Sequence, residues 1–131
     1  MACKELRTEI NGMPIYARQW DATQALSNSA LMMNVCGQYV IPFVEGTASF
    51  DDVLRMLTNV PHEQLIPLMK RFVYAARTTD AGGNPQEISE LNINQLCSGK
   101  LIDIVLIFKA ICELQYKDFF EQGLALLPRK V

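Results

Sequence analysis

From Lys100 to about Gly123 the chain has the length and periodicity of one long helix, and that helix dictates much of the remaining fold. Leu101, Ile104, Val105, Phe108, Cys112, Tyr116 and Phe119 form one stripe along it, while Ile102, Leu106, Ile107, Leu114 and Phe120 fall outside that stripe. Its first half is therefore apolar nearly all round, as in a central helix packed on several sides. Asp103 and Lys109 interrupt this half, and each needs a partner or a route to solvent.

The elements that must cover it are read from turns and caps. A β-hairpin is predicted over residues 1–18, with Asn11-Gly12 as its two-residue turn, because both central positions of such a turn need positive φ. Pro14 lacks an N–H, so its strand should be short or lie at an edge. A helix over 21–41 follows, capped by Asp21 or Thr23 and ended by Pro42. One face of it carries Ala22, Leu26, Ala30, Met33, Gly37 and Val40, where small residues admit a close neighbouring helix. Leu31, Val35 and Tyr39 on the other side imply that more than one face is covered.

Ser49 followed by Asp52 is a capping-box variant opening a helix over 50–58. A further helix over 61–77 carries Leu65, Leu68, Met69, Phe72 and Ala76 on one face, with a late start or a kink expected at Pro67. Residues 78–90, centred on Ala81-Gly82-Gly83-Asn84-Pro85, read as an exposed loop or hairpin tip. With the last helix over 100–123, the expectation is mainly α: a small helical bundle with a short N-terminal β-hairpin, one domain over 1–131.

With 131 residues, half of them hydrophobic and a fifth charged, the chain can bury a sizeable core. Its net charge of −2, with basic residues scattered, argues against nucleic acid as a partner. The uncharged stretch from Ala22 to Val44 is long enough to cross a bilayer. Thr23, Gln24, Ser27, Asn28, Ser29, Asn34 and Gln38 would make that costly, so no membrane span is expected. Cys3, Cys36, Cys97 and Cys112 share no close spacing, and the charged first residues lack a secretory apolar core. Reduced thiols in a cytoplasmic protein are the expectation.

Patterns for chemistry fail one by one. In His62-Glu63-Gln64-Leu65-Ile66 the fifth position is not histidine, so the zinc-protease pattern is absent. No Cys-x-x-Cys occurs, and neither Gly82-Gly83 nor Gly99-Lys100 completes a phosphate-binding loop. Asp51-Asp52 sits where acidic residues complement a helix N-terminus. No catalytic residue, metal site or cofactor is therefore expected. What remains is apolar surface for a protein partner, at Trp20 and at the aromatic end of the last helix: Tyr116, Phe119 and Phe120. Phe119 and Phe120 point about 100° apart, so both cannot sit centrally in one seam.

The order of these features resembles the small tail assembly chaperones of long-tailed bacteriophages. The resemblance is carried by Ile10-Asn11-Gly12-Met13-Pro14-Ile15-Tyr16-Ala17-Arg18, by Leu91-Asn92-Ile93-Asn94-Gln95-Leu96, and by the run from Ile107 through Phe120. It implies a non-enzymatic protein of the host cytoplasm that binds the tape-measure protein and helps recruit tail-tube subunits, then leaves before the virion matures. It transfers no site residue. Self-association is the other contact such surfaces allow. An alternative is a small structural or adaptor protein retained in a macromolecular assembly.

Overall fold

The computed structural model describes residues 4–126. Strands β1 (Glu5–Ile10) and β2 (Met13–Arg18) form the expected hairpin, and Asn11 (φ 49°) with Gly12 (φ 87°) makes its turn. Helices α1 (Ala22–Cys36), α2 (Ile41–Glu45), α3 (Phe50–Asn59) and α4 (His62–Val73) follow, with a 3-10 turn over Gly37–Val40. Strands β3 (Arg77–Thr79) and β4 (Pro85–Glu87), a short α5 (Ile93–Leu96) and the long α6 (Leu101–Leu126) complete the chain.

The main departure from expectation is the sheet. The N-terminal hairpin is half of a four-stranded antiparallel sheet ordered β1-β2-β3-β4. Residues 78–90, expected as an exposed loop or hairpin tip, supply that tip together with β4 and most of β3. Asp80 Oδ1 accepts the backbone N–H groups of Gly82 (2.9 Å) and Asn84 (3.0 Å), which closes the turn between them. Thr78 and Ile88, at either side of this hairpin, are buried. The same sheet explains why α4 stops at Val73 rather than running to 77: Arg77 is paired with Tyr16 of β2. β2 is thus an interior strand of six residues despite Pro14. The missing N–H of Pro14 would face the β3 side, and there the two strands pair only at Tyr16. Pro67 is likewise accommodated inside α4, on its exposed side.

α6 is the central helix. Ile107, Phe108, Ile111, Cys112 and Tyr116 are buried along it, and it packs against α2, α4 and the sheet. Phe108 meets Phe43 of α2 and Phe72 of α4, each with ring centroids 5.5 Å apart. Trp20 closes edge-on over Phe72 at 5.2 Å. Burying one such side chain contributes about 1.5–3 kcal/mol, so this aromatic cluster is the main anchor of the core. The two charges within the apolar half of α6 find partners. Asp103 accepts from Asn11 Nδ2 at 2.5 Å, tying the hairpin turn to the first turn of α6, and Lys109 lies 3.5 Å from Glu113.

Gln115 fixes the junction between sheet and helices. Its amide donates to the Arg18 carbonyl (3.0 Å) and accepts from the Trp20 N–H (2.8 Å), and it is itself buried. Gln115→Leu should leave both backbone groups unpaired, at about 1–3 kcal/mol for each group orphaned in the interior. A fall in the urea midpoint, with Gln115→Glu intermediate because it keeps only the acceptor, is the expected measurement. An unchanged midpoint would refute this role.

Candidate functional site

α1 buries a different face from the one expected. Asn28, Ser29, Met32 and Cys36 are inside, with Ala25 half-buried. Ala22, Leu26 and Ala30 are exposed, Met33 and Gly37 are partly covered, and of that stripe only Val40, beyond the end of α1, is buried. The polar inner face is stable because each group is answered. Asn28 Oδ1 accepts from Arg71 Nε of α4 (2.8 Å), Ser29 donates to the Leu26 carbonyl (2.8 Å), and the Tyr116 hydroxyl donates to the Ala25 carbonyl (2.8 Å). The apolar stripe with small residues therefore faces outward, Leu26 being 60% exposed, on a helix without a single charge.

α3 adds a second outward stripe. Ser49 N–H donates to Asp52 Oδ2 (2.8 Å), the predicted capping box, and this bond holds the Asp52 carboxyl below the usual carboxylate range. The acidic pair Asp51-Asp52 is thus at a helix start, as expected. Val53 and Met56 point into the core. Phe50, Leu54 and Leu57, at steps of four and three, lie on a single arc and are 63%, 45% and 50% exposed. Sequence reasoning missed this stripe, although its signal is present: α3 carries more apolar positions than one buried face can use.

The four aromatic candidates separate by burial. Tyr116 is a core residue, stacked among Phe72, Trp20 and Phe120. Trp20 is half-buried as a lid on Phe72. Phe120 is half-buried against Tyr116, and Phe119, 53% exposed, stacks edge-on against Phe120 at 5.3 Å. Of the four, Phe119 offers the most free surface.

Among the described residues, groups suited to catalysis are not assembled. Burial pushes the Cys36 thiol up to about 11 and the Cys112 thiol well above its ordinary value, and it also raises Cys97, with Asp103 adding to the effect. These thiols stay protonated at neutral pH and are poor nucleophiles. Cys3 lies outside the described residues. His62 is exposed at the start of α4, 3.5 Å from Glu63. Among the described residues, no group of three His, Cys, Asp or Glu side chains is placed to hold a metal ion. No described helix is long and apolar enough to cross a membrane.

The exposed apolar side chains of α1 and α3 are the surface feature that packing of the core does not explain. The family model described as phage tail assembly chaperone protein matches residues 11–127. The chain belongs to this family. Membership places the chaperone in the assembly of phage tails, in contact with tail proteins. The match covers the hairpin turn, both outward stripes and the aromatic end of α6. No curated protein and no solved structure matches the chain.

Proposed function

We propose that this tail assembly chaperone is non-enzymatic and acts in the host cytoplasm by binding apolar helices of the tape-measure protein and helping recruit tail-tube subunits. The observation that carries this reading is the outward face of α1, with Ala22, Leu26 and Ala30 exposed and no charge along the helix. Small residues let a partner helix approach closely, and an amphipathic client helix is a common occupant of such a face. The stripe Phe50, Leu54 and Leu57 offers a second contact of the same chemistry. Phe119, near the end of α6, is a third exposed apolar position, resting on Phe120, which in turn packs on Tyr116 and through it on Trp20.

Co-expression with segments tiling the tape-measure protein of the same phage tests the reading. At least one segment that is insoluble alone should be recovered in a soluble complex. Failure of every segment to bind would overturn it. Recovery of the chain from purified mature virions would instead favour a structural protein retained in the particle.

A further inference from the structure

Among the described residues, the sheet ends in an uncovered strand whose sequence complements itself. β1 is one terminal strand in the order β1-β2-β3-β4. The bond from the Gln19 N–H to the Lys4 carbonyl (3.0 Å) and the register Ile10↔Met13 turn the backbone groups of Lys4, Leu6, Thr8 and Ile10 toward β2. Those of Glu5, Arg7 and Glu9 therefore point away from the sheet, along its open edge. The other edge differs: β4 has three residues and begins with Pro85, which has no N–H to offer. Six residues of unpaired strand are a template for another strand unless something covers them.

We infer that β1 pairs antiparallel with β1 of a second copy, about a two-fold axis at Thr8, to make one continuous sheet across two chains. Charge and the inner apolar side chains together select this partner and this register. Centred on Thr8, Arg7 stands opposite Glu9 of the second copy, and Glu9 opposite its Arg7. Each of these pairs also exchanges both outward backbone hydrogen bonds. On the inner face, Leu6 then lies opposite Ile10 of the second copy, and Ile10 opposite its Leu6. Centred on Arg7 instead, the strands would set Arg7 against Arg7 and Glu5 against Glu9, all like charges. Centred on Leu6, they would again match Glu5 with Arg7, but would set Lys4 opposite Thr8 and carry Ile10 past the start of the other copy's β1, away from any apolar residue of that strand.

The surroundings permit the approach. Glu5, Arg7, Thr8 and Glu9 are all exposed. The ion pairs of Arg7 and Arg18 to Glu5 are long, at 3.9 and 3.8 Å, and exposed, so rearranging them costs little. Beneath the edge, between Leu6 and Thr8 and the α6 residues Ala110, Glu113, Leu114 and Lys117, runs a groove of about 350 Å³. The inner side chains of an added strand would lie over it.

The test is a charge swap read by sedimentation velocity on the full chain. The wild type should dimerise in the micromolar range, as suits a small interface, and less at high salt. Arg7→Glu alone places Glu against Glu twice, and Glu9→Arg alone places Arg against Arg twice. Each variant should be monomeric with an unchanged circular dichroism spectrum, since both positions are exposed. Mixing the two should restore a dimer containing one of each. A Glu9→Arg variant that dimerises like wild type would overturn the Thr8-centred register, and indifference to both swaps would place the contact elsewhere. A wild type that is monomeric to about 100 μM would overturn pairing between copies altogether. Should those same swaps then disrupt a tape-measure complex, the edge belongs to the client strand and not to a second chaperone. The proposed client surface on α1 stands or falls separately, because neither swap touches it.

Discussion

Phe72→Ala is expected to cost about 3–5 kcal/mol of folding stability, the usual range for emptying a buried phenylalanine site. Phe72 has no exposed surface, and three aromatic neighbours surround it: Trp20 at 5.2 Å, Phe108 at 5.5 Å and Tyr116 at 6.2 Å. These neighbours come from the junction after β2 and from α6, so they cannot all collapse into one hole. The cavity term therefore adds to the lost transfer energy. Domains are stable by about 5–15 kcal/mol, so this one change removes a large fraction of the total. Trp20 is the chain's only tryptophan and touches the altered site, so its fluorescence reports both the repacking and the urea midpoint. Phe119→Ala is the matched control. With its ring half in solvent, it should shift stability by less than about 1 kcal/mol. Equal losses at both positions would mean that the aromatic end of α6 is as much core as its middle.

The contrast shows what was legible in the sequence. α6 announced itself because its apolar residues occur on every side, and only a central helix satisfies that pattern. The hairpin turn was legible because Asn11-Gly12 offers the two positive φ values the turn requires. The capping box at Ser49 and Asp52 was legible for a similar reason: a fixed spacing performs a fixed task. β3 and β4 were legible only as a possible hairpin tip, not as strands of the sheet. Three residues are too few to display an alternating pattern, and both strands flank a segment dominated by turn residues. Their existence depends on β2 being available at Tyr16, a non-local condition that no window of sequence contains.

The orientation of α1 failed for a different reason. Its residues carry no charge, so hydrophobicity hardly distinguishes one side from the other. Three partners outside its own pattern decided the matter: Arg71 for Asn28, the Tyr116 hydroxyl for the Ala25 carbonyl, and the sulfur of Met32 near that of Cys112 at 4.0 Å. Polar groups with assured partners could go inside, which released Ala22, Leu26 and Ala30 to the surface. The small-residue face was expected to receive a close neighbouring helix, and Ala22, Leu26 and Ala30 are instead exposed. In this chain that place is open to solvent, so the approaching helix need not be its own.

That reversal sets the second large effect. Leu26→Glu should weaken a tape-measure complex by about 30-fold or more, the loss typical of an interface hot spot. Burying the new carboxylate against an apolar client helix would leave it without a partner, which costs more than the lost leucine contacts alone. Folding should hardly change, because Leu26 is 60% exposed and glutamate is a good helix former. Leu54→Glu on α3 separates the two surfaces. If only Leu26→Glu impairs binding, the client lies along α1; if both do, it spans α1 and α3. Wild-type affinity in Leu26→Glu, measured by titration calorimetry with a soluble client segment, would remove α1 from the binding surface. The charge added is single and solvent-facing in the free protein, so a large loss confined to the complex cannot be attributed to a damaged fold.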